Sequence, residues 1–207
     1  MFISLVKMYK AGGFSRIFQE FGNHLYDFIH GVETSKRELG NINNDSNLND
    51  YYPSHKKTVV KSLDCVQNNL DDLSSYSFID IGCGKGKTLI IAHNYNFKKI
   101  IGYEINKNIF KILSDNIRKQ KSDRFILHNS DLNYESISNK SVIYFYNSFQ
   151  ESLTKKFFNH LEKSSHLSNI VLIYVNALYS EYLNNPNWDI VYQNNVSTQD
   201  INIYIKK

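Results

Sequence analysis

The segment Phe78-Ile-Asp-Ile-Gly-Cys-Gly-Lys-Gly-Lys-Thr88 constrains this chain more than any other. A short apolar run meets three alternating glycines, Gly82, Gly84 and Gly86, and a helical pattern starts directly behind them. Glycine takes positive φ without a steric penalty and lets a ligand approach the backbone, so a strand, a ligand-holding turn and a helix are expected in that order. The downstream pattern agrees. Ser77–Ile81, Lys99–Gly102, Arg124–His128, Val142–Tyr146 and Ile170–Val175 are short apolar runs, and helical patterns fill gaps at Thr88–Asn94, Lys107–Lys119 and Ser152–Lys163. Such alternation predicts βαβ units around a parallel sheet buried on both faces. Trp188–Tyr192 and Ile201–Ile205 leave little room for a helix between them and predict an antiparallel hairpin on the sheet edge.

Three ligands compete for the glycine loop. Gly86-Lys87-Thr88 copies the end of a nucleotide-binding P-loop, but that motif needs glycine where Ile81 stands. A dinucleotide loop, G-x-G-x-x-G, needs its third glycine where Lys87 stands, and Asp80 just before the loop would repel a pyrophosphate. An acid there prefers a cationic ligand. Two further acids follow in order: Glu104 ends the run Lys99–Glu104, and Asp131 ends Phe125–Asp131. An acid at the end of the second strand accepts well from paired ribose hydroxyls, as a charge-assisted contact of ~1.5–3 kcal/mol.

The pattern Asp80-x-Gly82-x-Gly84-x-Gly86 is similar to motif I of the class I S-adenosylmethionine (SAM)-dependent methyltransferases. From residue 26 onward the chain resembles a small bacterial group of that class reading D-x-G-x-G-K-G-R, then G-V-E, then N-P-F. The matching stretches are Tyr26-Asp27-x-x-x-Gly31-x-Glu33-Thr34, Tyr52-x-Ser54, FIDIGCGKGK, IIGYEIN and Tyr146-Asn147-x-Phe149. The resemblance implies a Rossmann-like seven-stranded sheet of order 3-2-1-4-5-7-6, mostly parallel with an antiparallel C-terminal hairpin and helices on both faces. It implies SAM as cofactor, with Gly82, Cys83, Gly84 and Gly86 along its methionine and ribose portions and Asp80 toward its ammonium. Glu104 would hold the ribose and Asp131 the adenine, with Ile105 and Leu132 as further cofactor contacts, and Tyr52, in a turn similar to one in some protein-lysine methyltransferases, would lid the cofactor. Asn147 would orient the acceptor as the catalytic residue. Three positions depart from the group: Lys87 for Arg, Tyr103 for Val, and Ser148 for the proline after Asn147.

The remaining sequence bounds the function. A chain of 207 residues suits one methyltransferase domain, 51–207, behind a helical cap and polar loop, 1–50. In the cap, Phe14, Ile17, Phe18, Phe21, Leu25, Phe28 and Ile29 recur at helical spacing, so this stripe is expected to pack on something. Ser54 is expected to cap a helix from His55 to Leu70. The net charge is +4, yet only four of 24 basic residues are Arg and none cluster, which disfavours nucleic acid. No apolar run approaches the ~18 residues of a membrane span, and no cleavable leader is evident; a cytoplasmic protein without a membrane partner is expected. Cys65 and Cys83 make neither a disulfide framework nor a metal quartet, so no metal is expected. His30 and His55 are candidate general bases. The expected acceptor is a small molecule or saccharide, with a protein lysine, or a SAM-binding protein without catalysis, as alternatives.

Overall fold

The computed structural model describes residues 21–36, 53–196 and 199–207. Tyr52, and the Phe14, Ile17 and Phe18 part of the stripe, lie outside them. Within them are helix α1 (21–30), α2 (Lys56–Asn69), β1 (Ser77–Ile81), α3 (Lys87–Ala92), β2 (Lys99–Tyr103), α4 (Lys107–Arg118), β3 (Phe125–His128), β4 (Ser141–Phe145), α5 (Glu151–Lys163), β5 (Ile170–Val175), β6 (Trp188–Val196) and β7 (Gln199–Lys206).

The strands form one sheet of order β3-β2-β1-β4-β5-β7-β6. β1 to β5 run parallel, while β7 is antiparallel to β5 and β6. β4 and β5 are buried along their whole length because both faces are covered. On one face Val59 and Leu63 of α2, Leu89 of α3 and Leu113 of α4 pack against Phe78 and Tyr144. On the other, Phe157, Phe158 and Leu161 of α5 pack against Phe145, Leu172 and Tyr174. The chain leaves β1 for β2 and β3 on one side and returns to β4 on the other. That reversal opens a crevice at the carboxyl ends of β1 and β4, where open α/β sheets bind ligands.

Several expectations need correcting. The N-cap of α2 is His55, without a side-chain cap bond; Ser54 is buried against β4 and its hydroxyl accepts from Tyr144 Oη at 3.1 Å. β3 stops at His128, three residues before Asp131, because Asn129 turns back and donates its amide to the Glu104 carbonyl at 2.8 Å. The hairpin strands extend past the expected Tyr192, with a bulge between Ile190 and Tyr192. The apolar stripe of α1 does not pack inward within the described residues: Phe21, Leu25, Phe28 and Ile29 are exposed, and Phe28 is 85% so. The segment docks instead through Tyr26 and Val32, which join the core, and is braced internally by polar groups. Asp27 accepts from the amides of Thr34 and Ser35, and buried Asn23 accepts from Ser35 Oγ through its backbone carbonyl.

Candidate active site

The glycine loop is the centre of the crevice. Gly82, Gly84 and Gly86 all have positive φ, at 71°, 54° and 86°. Two of them are also required by their neighbours. A Cβ at Gly82 would lie 2.6 Å from Ser148 Oγ, and one at Gly86 would lie 2.6 Å from Leu113 Cδ1 of α4. Cys83 is engaged within the loop: its N–H donates to the Tyr103 carbonyl and its own carbonyl accepts from Gly86 N–H. Its thiol packs over Gly102, 2.8 Å from where a Cβ there would sit. Burial, with Asp80 and Glu104 nearby, pushes that thiol's pKa well up, so it is not a thiolate nucleophile.

Asp80 and Glu104 stand at adjacent strand ends beneath the loop, 3% and 7% exposed. One oxygen of Glu104 accepts from Gly84 N–H at 3.0 Å and the other from Asn106 N–H at 2.8 Å. Asn106 in turn caps α4, accepting from the amides of Asn108 and Ile109. Burial raises the Asp80 pKa well above the ordinary carboxyl value, and the Glu104 charge raises it further, against a hydrogen bond from Thr88. Burial also raises Glu104, opposed by its backbone donors at Asn106, Gly84 and Ile105. Two carboxylates that resist ionising in each other's company form a site that gains from a positive charge.

The other candidate contacts surround this pair. Ile105 is 42% exposed beside Glu104, and Asn129 donates to its carbonyl as well as to that of Glu104. Asp131 is exposed and accepts from Leu132 N–H at 2.7 Å; the Leu132 side chain is buried with Ile79, Ile81 and Tyr103. Asn147 follows β4 in the left-handed region at φ 45°, and its Oδ1 lies 3.5 Å from the Tyr174 hydroxyl, which donates to it. Tyr174 Oη itself accepts from Tyr179 N–H at 3.2 Å. Ser148 donates to the Ile81 carbonyl at 2.7 Å. Where the resembled group has proline, this chain therefore has a hydroxyl joining the end of β4 to the end of β1.

The loop's lysines face the N-terminal segment. Lys85 is fully buried and pairs with Glu33 at 2.9 Å, while Lys87 donates to Asn23 Oδ1 and Ser35 Oγ. Asn116 completes the clasp, donating to the carbonyls of Lys85 and Glu33 and accepting from Glu33 N–H. A P-loop lysine must reach phosphate, and Lys87 is committed elsewhere. Of the candidate bases, exposed His30 lies in a tilted ring contact with Tyr26, centroids 4.3 Å apart, and His55 donates its backbone N–H to Gln199 Oε1. Thr88, Asn129, Tyr174 and the Lys85–Glu33 clasp were not singled out from sequence. The first had a signal: a buried strand-end acid needs a donor, and Thr88 opens the next helix.

No family model and no curated protein matches the chain. Solved structures do match it in fold. An RNA methyltransferase from Salinibacter ruber in complex with S-adenosyl-L-homocysteine (SAH) is 16% identical at a TM-score of 0.56, covering 75% of this chain and 95% of that one. A magnesium protoporphyrin IX methyltransferase from Synechocystis PCC 6803 with bound SAM is 13% identical at 0.56, covering 72% and 78%. A ribosomal-protein methylase from Lactobacillus delbrueckii subsp. bulgaricus is 14% identical at 0.56, covering 75% and 81%. The fold is thus that of the class I SAM-dependent methyltransferases, with the strand order that defines it. Among the described residues no helix is long and apolar enough to cross a membrane, and no three His, Cys, Asp or Glu side chains group as metal ligands.

Proposed function

We propose that the chain is a SAM-dependent methyltransferase of the small D-x-G-x-G-K-G-R / N-P-F type, with residues 1–50 as its cap and 51–207 as its cofactor domain, acting on a small-molecule or saccharide acceptor. One observation carries this reading: two buried carboxylates, Asp80 and Glu104, flank a loop turned by left-handed glycines. A ligand bearing a sulfonium and an ammonium satisfies that charge, and a pyrophosphate opposes it. The residues fit the cofactor. Gly82 is the exposed member of the loop, and the three backbone donors to Glu104 leave its carboxylate one lone-pair site for a ribose hydroxyl. Asp131 has a second oxygen for the adenine amino group, and Asp80 would face the ammonium end.

When bound, the cofactor supplies an activated methyl group. The chain's own work is alignment, for which well-oriented pairs recover ~7–11 kcal/mol of a barrier. Asn147, held by Tyr174 and by its left-handed backbone, would orient the acceptor. The test is a thermal shift of the full chain with SAM, SAH and ATP in parallel. A ligand at 100 times its Kd adds ~2.7 kcal/mol, which is a rise of about 5–11 °C for a chain of this length. SAM and SAH should each give that rise. A rise with ATP alone would overturn the reading.

A further inference from the structure

A second concavity adjoins the crevice. Between the carboxyl end of β5 and the β6–β7 hairpin lies a depression of about 400 Å³ lined by Ser180, Gln193, Asn194, Asn195, Asp200 and Asn202. That volume falls within the ~300–1,000 Å³ of small-molecule sites, which are ordinarily lined mostly by apolar side chains. Here Ala177 is the one apolar lining residue; the others carry amide, hydroxyl or carboxylate groups, and among the described residues no cationic side chain contributes.

Gln193, Asn194, Asn195 and Asp200 are exposed at the rim of the depression, and buried Asn202 lies at its floor. Sheet pairing sets Phe145, Tyr174, Asn202 and Gln193 side by side across β4, β5, β7 and β6, so they share one face. Phe145 and Tyr174 are core on that face, and the row then changes to amides. Asn202 lines the depression yet is only 6% exposed, and its side-chain bond runs from Nδ2 to Tyr204 Oη at 3.3 Å, which leaves its carbonyl oxygen as an acceptor. That oxygen is open to the depression, where a ligand hydroxyl can donate to it. The same row leads to the reaction centre, since Tyr174 reaches Asn147. A second thread runs alongside it: Asn176 accepts from Asp200 N–H and donates to Tyr146 Oη.

The chemistry of the lining selects its ligand. A phosphorylated or nucleic-acid ligand needs cations, and the lining has none. An apolar ligand would strand the amides. The one carboxylate, Asp200, already accepts from Asn195 Nδ2 at 2.9 Å. What remains is a set of mixed donors and acceptors suited to neutral hydroxyls. We propose that this depression binds a neutral polyhydroxylated ring, a saccharide, and presents it beside Asn147. On the methyltransferase reading that saccharide is the acceptor; its binding does not depend on that reading.

The test is saturation-transfer NMR on the full chain with a mixture of glucose, galactose, mannose and N-acetylglucosamine, and separately with glucose 6-phosphate and a lysine-containing peptide. Saturation should reach at least one neutral sugar and fall by about fivefold or more in Asn202→Leu and in Gln193→Ala, whose exposed position spares the fold. Failure of every neutral sugar, an unchanged signal in both variants, or stronger transfer to the phosphate or peptide would overturn the proposal. Calorimetry with SAH on the same sample separates the two readings. SAH binding without sugar contact defeats this inference alone, and sugar contact without SAH binding defeats the methyltransferase reading alone.

Discussion

Replacing Asp80 with Asn should make the protein more stable and a worse cofactor binder. Asp80 is buried at the end of β1 and faces Glu104, the Cys83 thiol, the Tyr144 hydroxyl and Thr88. Only the Thr88 hydrogen bond favours its charged form; burial and Glu104 oppose it, and its pKa rises well above the ordinary value. The sign follows from linkage. Because the folded state holds this proton more tightly than the unfolded chain, stability from Asp80 is fully present below the ordinary carboxyl pKa. It is lost as pH rises through the raised one, at ~1.4 kcal/mol for each pH unit separating the folded and unfolded pKa. Asn keeps an acceptor for Thr88 and never ionises. Urea unfolding across about pH 4 to 8 should therefore show Asp80→Asn pulling ahead of the parent as pH rises. SAM affinity should fall by about tenfold or more, since the carboxylate that answers its ammonium is gone. An Asn variant that is less stable at neutral pH, or one that tracks the parent across the pH range, would refute the reasoning.

Glu104→Ala should act differently, because it orphans the amide donors of Gly84 and Asn106; a loss of ~1–3 kcal/mol in urea unfolding and of about tenfold or more in SAM affinity is expected. Gly82→Ala should be destabilising by ~1–2 kcal/mol from its left-handed backbone alone. The clash with Ser148 adds to that, and a double-mutant cycle with Ser148→Gly should recover the clash but not the backbone part. Asn147→Ala should lower turnover by about tenfold while leaving SAM affinity within about twofold. A collapse of affinity instead would place Asn147 against the cofactor.

Local features were legible in the sequence. The glycine loop, Asp80 and Glu104 sit where a strand must end and a helix begin, and their order along the chain already implied a cationic ligand. The alternation of runs implied the parallel sheet, whereas the strand order rested on the family resemblance. What the sequence hid depends on pairs far apart in the chain. Ser148 looked like a lost proline and is a hydroxyl tie to Ile81 across 67 positions. Lys87 matched the P-loop lysine in residue type though the loop spacing excluded that motif, and with Lys85 it clasps residues 21–36. The α1 stripe predicted apolar docking, but helical periodicity cannot tell whether a face meets core or solvent: Tyr26 and Val32 enter the core, while Phe21, Leu25, Phe28 and Ile29 stay exposed. The amide row through Asn202 exists only once β5, β7 and β6 are in register.

The central claim is that the Asp80–Glu104 crevice is built for SAM. Isothermal titration of the full chain with SAM tests it most directly, run on the parent, Glu104→Ala and Asp80→Asn. One saturable site in the parent, weakened by about tenfold or more in both variants while Asp80→Asn stays folded, is the predicted result. No saturable heat with SAM or SAH in a folded parent, or binding unchanged by either substitution, would contradict it.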